Sequence, residues 1–313
     1  MTIGTADSPP PRNLAARWLA ALVVIGVVGG LLLVPLHMPG RLTGVLFDLA
    51  HLPVFAILVF VLVRLLGGSH AWKRAFGIAA AVVLFGLLGE IAQGYIGRSA
   101  SWGDVARNAV GAGFGLLAAT WPRWNRAASV AGLLTLCACA WLAYQKPLST
   151  LSDIVAQRSA FPNIGSFETR SEVQRWAPMW SRLARSDKHT TDGEFSMQVK
   201  MGTGRYPGLM CRWPPLDWSE QTTLEFDVWN DSDEETLIVV RVDDFIHNNE
   251  HSDRFNRELI VKPGSNTVRI ELADIENAPV GRSMDMTAIA KMQVFTVRPD
   301  RPKVFYFDRF ELK

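Results

Sequence analysis

This 313-residue chain has three cysteines, and none is placed to form a disulfide within one domain: Cys137 and Cys139 share an apolar run and Cys211 stands alone far downstream. A fold stapled by bridges is therefore not expected; packing and hydrogen bonds must hold it. Acidic residues are scarce in the first half. From Met1 to Lys146 they are Asp7, Asp48, Glu90 and Asp104, against eleven Lys or Arg. Around them run long stretches of Leu, Val, Ala and Gly, which is a membrane composition. Residues 147–313 carry twenty-six Asp or Glu against twenty-one Lys or Arg, so this half is net acidic and soluble in character. Neither half shows the basic face that nucleic acid requires, so no nucleic-acid partner is expected.

Five apolar stretches approach the ~20 residues that cross a bilayer. They cover residues 18–36, 45–66, 75–91, 105–121 and 127–144. Arg12 and Arg17 precede the first, as they would a secretion signal. That stretch is long, however, ends at Pro35 without a small-residue cleavage pattern, and is followed by further spans, so it is expected to be an anchor. Arg12 and Arg17, then Arg64, Lys73 and Arg74, then Arg123 and Arg126 fall in alternate connections, while the others hold mainly Arg41 and Arg98. This asymmetry predicts a cytoplasmic N-terminus and an inner-membrane, multi-pass protein. Five spans then put everything after Lys146 outside, in the periplasm where the cell has one. Trp18, Trp72, Trp102, Trp121 and Trp124 stand at span ends, as an interfacial aromatic belt would.

Polar residues in this half gather toward one side of the expected membrane. Asp48 and His51 are three residues apart, Glu90 and Gln93 three, and Asp104 and Asn108 four, so each pair shares a helix face. Gly111 and Gly115 continue the last stripe and allow a neighbouring helix to approach closely. Two readings are open. In one, Arg98 pairs with Glu90 or Asp104 and the amides bond between helices. In the other, the set lines an outward-opening pocket, with His51 or a carboxylate carrying a proton, Arg98 anchoring a phosphate, or the carboxylates and His51 holding a divalent cation. No tight metal-ligand spacing is visible.

The string GEIAQGYIGRSASWGDVARNAVGAGFG (Gly89 to Gly115), preceded by FDLAH (Phe47 to His51), resembles the VanZ-like family of bacterial membrane proteins. The positions that match are Asp48, His51, Glu90, Gln93, Gly97, Arg98, Asp104, Asn108 and Gly111, within a resemblance covering roughly residues 15–145. Where the family often has a Tyr after the His, this chain has Phe55. The resemblance implies a role in the cell envelope and a link to low-level glycopeptide resistance, and it names no reaction. If the protein is an enzyme, Glu90, His51, Asp104 and Arg98 are the catalytic candidates, and Asp48, Gln93 and Asn108 the ligand-binding ones.

After a polar linker over 147–162 the periodicity becomes alternating. Thr223 to Asn230 turns Leu224, Phe226 and Val228 inward, and Thr236 to Phe245 follows as a second strand. Arg257 to Leu272 forms a hairpin-like pair around Pro263 and Gly264, and Lys291 to Leu312 a second pair around Arg298 to Lys303. The expected whole is a transmembrane domain (1–146), a linker, and an all-β antiparallel jelly-roll sandwich (163–313).

The order SFE, DGEFSMQV, YPGL, DWSEQTTLEFDVWN, DRFN and FYFDRFEL resembles carbohydrate-binding and galactose-binding-like jelly rolls. That resemblance implies a structural calcium held by Glu168 and Asp308; a plain ion pair with Arg309 or Arg170 is the alternative. Trp176, Trp180, Trp213, Trp218 and Trp229 are candidates for stacking on sugars, with Trp229 expected to face out and Trp213 and Trp218 in the loop RWPPLDWS. Arg241, Asp243, Asp244, Asp253, Arg254, Arg282 and Asp285 are either an ion network or a site for sugar hydroxyls or a cation. His189, His247 and His251 are expected to be solvated. Together these readings imply an envelope membrane protein that displays a carbohydrate-binding-like domain toward exported polysaccharide. Its partners would be membrane lipid, a glycan or lipid-linked glycan, and envelope proteins. The alternatives are a membrane enzyme or carrier for a lipid-linked glycan, and a scaffold in an export assembly.

Overall fold

The computed structural model of the protein describes residues 14–33, 40–66, 72–95, 101–121 and 124–313. The chain divides into two compact units that meet in sequence at Ser149 and Thr150, with the short segment ending at Thr43 counted in the second.

The helical unit contains α1 (Leu14–Leu33), α2 (Arg41–Leu66), α3 (Trp72–Tyr95), α4 (Trp102–Thr120) and most of α5 (Arg126–Ala160). The described residues of the expected apolar stretches lie on these helices or at their ends, while residues 34–36 of the first stretch fall outside the described residues. Among the described residues, three helices are long and apolar enough to cross a membrane, over Arg41–Leu66, Trp72–Ala92 and Arg126–Ala160. The apolar part of α1 is shorter, Leu14–Gly30. In α4, Asp104, Arg107 and Asn108 interrupt the run, and all three are buried. Leu22, Val27, Leu134, Trp141 and Leu142 are exposed, whereas Phe55, Leu58, Val59, Ala79 and Ala112 form the interior.

Helix α4 lies directly on α2. A Cβ added at Gly111 would stand 2.3 Å from the Leu52 carbonyl oxygen, and one at Gly115 would stand 2.2 Å from that of Ala56. Only glycine permits that approach, as the small-residue stripe leads one to expect.

Among the described residues, two prolines lie inside helices, Pro53 in α2 and Pro147 in α5. A proline in a helix leaves the carbonyl four residues earlier without its N–H partner. Here those carbonyls belong to Leu49 and Ala143, and each receives a donor from another helix. The Tyr144 hydroxyl donates to Leu49 O at 2.9 Å, and Arg107 Nη1 donates to Ala143 O at 3.3 Å.

The expected linker over 147–162 is a correction. Helix α5 continues through Pro147 to Ala160, and its last turns belong to the second unit. The reason is an ion pair the sequence does not advertise: Arg175 Nη2 reaches Asp153 Oδ1 at 2.8 Å and Nε reaches it at 3.0 Å, with both side chains buried.

The second unit holds β1 (Asn163–Gly165), α6 (Arg170–Gln174), β2 (Trp176–Met179), β3 (Ser181–Ser186), β4 (Ser196–Met201), β5 (Gly208–Cys211), β6 (Thr223–Asn230), β7 (Thr236–Asp244), β8 (Phe255–Val261), β9 (Gly264–Glu271), α7 (Leu272–Glu276), β10 (Ile289–Phe295) and β11 (Lys303–Leu312). One sheet runs β3-β4-β11-β6-β9, with β1 also on β11, and the other runs β2-β5-β10-β7-β8. Every pairing is antiparallel. Leu224, Phe226, Val228, Phe305 and Phe307 from the first sheet pack with Ile238, Val240, Val242, Met292 and Val294 from the second in one core. This is an antiparallel jelly-roll sandwich, because consecutive strands keep passing from sheet to sheet.

That alternation corrects both expected hairpins. Strand β8 pairs with β7 while β9 pairs with β6 in the other sheet. Likewise β10 belongs to one sheet and β11 to the other. The turn at Pro263 and Gly264, where Gly264 has φ +82°, carries the chain across the sandwich instead of folding it back.

Candidate functional site

In the helical unit the residues singled out by spacing do converge. His51 Nδ1 and Asn108 Oδ1 are 2.8 Å apart, and His51 Nε2 lies 3.7 Å from Asp104 Oδ1. Glu90 Oε2 accepts the Ser101 N–H at 3.0 Å, at the start of α4. Asp48 is half-buried at the edge. His51, Glu90, Asp104 and Asn108 are all buried. Arg98 and Gly97 lie outside the described residues, as does the side chain of Gln93.

The cation that Asp104 holds is Arg107, which the spacing argument passed over. Its Nη2 contacts Asp104 and, at 3.2 Å, Asp48 Oδ1. Arg107 is 4% exposed. The signal was present: Arg107 follows Asp104 by three residues on one helix face.

In the sandwich the tryptophans separate. Trp218 is fully buried and its Nε1 donates to Pro215 O at 2.8 Å, so it is a core residue and the expectation that it stacks on sugar is corrected. Trp176 is buried against Phe310 with ring centroids 4.6 Å apart. Trp213 and Trp180 are exposed. Trp229 points away from the core but is covered: the His189 ring stacks on it at 4.0 Å and 13°, with Tyr306 beside. His189 is thus part of a ring stack and not a solvated loop residue.

Glu168 and Asp308 anchor the loop that carries His189. Glu168 Oε1 accepts the N–H groups of Glu194 and Phe195, and Asp308 Oδ2 accepts those of Thr191 and Asp192. Burial raises the Asp308 carboxyl above its usual range, against the pull of these N–H groups. These N–H groups make both carboxylates anchors of the loop. Arg309 Nε binds Asp227 Oδ2 at 2.9 Å, so the expected ion pair of Asp308 with Arg309 does not form.

The expected charge network is real and splits in two. Arg282 binds Asp244 and Asp253, each at 2.5 Å. Arg241 and Lys291 bind Asp243 at 2.9 and 3.2 Å. Beside them the outer face of the second sheet forms a groove of about 570 Å³ lined by Tyr206, Arg241, Arg254, Asn256, Gln293 and Phe295, with Glu258 at its margin. The register creates it: Arg241 stands opposite both Gln293 and Asn256, so three strands contribute one polar row. Phe295 packs edge-on to Tyr206 at 5.5 Å. Two groove residues also carry a buried donor that has no acceptor within the protein, Arg254 Nε and Asn256 Nδ2. Sequence reasoning looked for tryptophan and missed this row, because Arg241, Asn256 and Gln293 are scattered over more than fifty residues.

No protein-family model matches this chain, and no curated protein matches it. Solved structures similar to part of it include an exo-beta-agarase, at 19% identity and TM-score 0.40, covering 48% of this chain and 24% of that one. Another is the family 11 carbohydrate-binding module from Clostridium thermocellum in complex with a beta-1,3-1,4-mixed-linked tetrasaccharide, at 16% identity and TM-score 0.37, covering 48% and 93%. A third is the CBM22-1-GH10 modules of Clostridium thermocellum endo-1,4-beta-D-xylanase 10B complexed with xylohexaose, at 14% identity and TM-score 0.35, covering 48% and 28%. The chain thus spans only about a quarter of the agarase and xylanase chains it resembles in part.

Proposed function

We propose that this chain is a cell-envelope membrane protein whose apolar helices anchor an extracytoplasmic polysaccharide-binding sandwich, with the groove of the second sheet as its glycan site. The observation that carries the reading is the pair of donors without protein acceptors, Arg254 Nε and Asn256 Nδ2, beside the Tyr206 and Phe295 rings. An unmade hydrogen bond in a buried place costs ~1–3 kcal/mol, so such donors call for a ligand rich in oxygen acceptors. An aromatic wall next to them suits the apolar face of a sugar ring. The ring of His189 stacked on Trp229 counts against that residue in this role.

Membrane anchoring rests on the length and apolarity of α2, α3 and α5 together with the exposed Leu and Trp side chains on α1 and α5. The charge bias of the connections supports a sandwich on the side away from the cytoplasm. A C-terminal phosphatase fusion should be active and a C-terminal fluorescent-protein fusion dark; the opposite pair of results would overturn this topology.

Glycan binding is tested by calorimetry of the purified full chain against oligosaccharides from mixed-linked glucan, xylan, agarose and an acidic exopolysaccharide. Binding to at least one, weakened about tenfold or more by Arg254→Ala or Asn256→Ala (a loss of ~1.4 kcal/mol) and unchanged by Trp229→Ala, is expected. Absence of binding to all four, or binding indifferent to both groove substitutions, would remove the groove from consideration.

A second reading, a membrane enzyme or carrier for a lipid-linked glycan, is favoured by one observation, the convergence of His51, Glu90 and Asp104 in a buried place. If the groove is silent and Glu90→Gln abolishes the cellular phenotype in normally inserted protein, this reading takes its place.

A further inference from the structure

We propose that His51, Glu90 and Asp104 form a binding site for a divalent metal ion within the helical unit. One ligand-type atom from each lies within 4.8 Å of the others, and all three residues are buried. They come from α2, α3 and α4, so the site exists only when these helices pack. The inference is independent of the sandwich and its groove.

The tautomer of His51 is what distinguishes this cluster from a set of polar residues packed together. Asn108 turns its amide oxygen to His51 Nδ1 at 2.8 Å, and an amide oxygen only accepts. With Nδ1 carrying the hydrogen of that bond, the neutral ring presents its lone pair at Nε2. That is the form in which imidazole binds a metal, with its other nitrogen held by an outer partner. The lone pair faces Asp104 Oδ1 at 3.7 Å, which is also an acceptor. The Arg107 guanidinium already contacts that same oxygen, so whatever lies between the two acceptors adds to its charge rather than supplying the first. A proton is one answer and a metal ion is the other.

The spacing suits the ion. Metal–nitrogen and metal–oxygen bonds of about 2.0–2.2 Å set neighbouring ligand atoms roughly 3.0–3.5 Å apart in tetrahedral or octahedral arrangements. A distance of 3.7 Å closes to that range with a small side-chain movement, whereas it is too long for a hydrogen bond. The outer partners are also in place. Ser101 N–H braces Glu90 Oε2, and Arg107 braces Asp104 while binding Asp48. A mixed imidazole and carboxylate set matches Zn²⁺ or Mn²⁺ and leaves positions open for water or a ligand oxygen.

The test uses the purified full chain, stripped with chelator and reloaded with Mn²⁺ or Zn²⁺, with stoichiometry measured by elemental analysis and ligation by pulsed electron paramagnetic resonance of Mn²⁺. One ion per chain is expected, with nitrogen modulation from one imidazole. His51→Gln should abolish the modulation, Glu90→Gln and Asn108→Ala should weaken affinity by about 10–100-fold, and His247→Gln, on an exposed loop, should change nothing. Variants are compared only when they elute and show helical circular dichroism as the parent does. The parent measurement decides by itself: a folded chain that takes up no stoichiometric ion, or holds Mn²⁺ with no nitrogen coupling, overturns the metal site and leaves the proton between His51 and Asp104.

Discussion

Tyr144 donates its hydroxyl to the backbone carbonyl of Leu49, the acceptor that Pro53 deprives of its own helical N–H. The pairing ties α5 to α2 at the turn where α2 is weakest, and it sits one turn from Asp48 and His51. Arg107 repeats the arrangement at Ala143, which Pro147 leaves bare, and thereby links the polar cluster to α5.

Tyr144→Phe should therefore destabilise the helical unit by ~1–3 kcal/mol, the cost of a buried carbonyl left without a donor. In a Pro53→Ala background the helix supplies its own N–H, and the same change should cost much less. A double-mutant cycle on thermal unfolding of the detergent-solubilised protein measures the coupling. Equal costs in both backgrounds would show that the hydroxyl does not serve the proline-freed carbonyl.

Asp153→Ala should cost about 3–5 kcal/mol in the sandwich unit, because it leaves the Arg175 guanidinium buried without its carboxylate. Urea unfolding followed by tryptophan fluorescence reads this directly. A loss below ~1 kcal/mol would mean that the end of α5 is held by apolar contact alone.

The tryptophans should respond according to where they lie, not where they stand in the loop. Trp218→Ala removes a side chain with no exposed surface and is expected to cost ~3–5 kcal/mol. His189→Ala uncovers the Trp229 ring, so the fluorescence of the folded protein should shift to the red and become accessible to iodide. A Trp218→Ala protein of parental stability, or an unaltered spectrum in His189→Ala, would contradict these placements.

Acid should act on the sandwich through three carboxylates. The Lys313 ammonium, with Arg269, holds Glu225 below its ordinary value, and Arg282 does the same for Asp253. Burial pushes Asp227 up, but hydrogen bonds from Arg309 and Thr267 outweigh it and the carboxyl ends lower than usual. Carboxylates depressed in the folded state stabilise it fully above their unfolded values of about 4 and lose that contribution as pH falls through the folded ones. Asp308, raised by burial, works with the opposite sign in the same region. Stability should thus be flat from pH 8 to about 5 and fall below about 4. Arg282→Ala should move the onset to higher pH in an acid titration by near-ultraviolet circular dichroism. An onset unmoved by that change would remove Asp253 from the account.

What the sequence determined by itself is what depends on local composition and period. Apolar runs marked α1 to α5, because a helix that meets lipid or a helical core needs little else. Alternation at Leu224, Phe226 and Val228 marked a strand. The i, i+3 and i, i+4 spacings paired Asp48 with His51, Glu90 with Gln93 and Asp104 with Asn108, since residues so spaced share a helix face, and the expected order of spans turned the three pairs to one side. The tertiary structure decided everything that depends on partners distant in the chain. It made Trp218 core, joined Arg107 to Asp104 and Asp48, and continued α5 to Ala160 through Asp153 and Arg175. It also sent β8 and β9 to different sheets, and assembled Arg241, Asn256 and Gln293 into one row. Period tells which way a side chain points relative to its own element; only the register and packing of elements far apart in sequence tell what it meets.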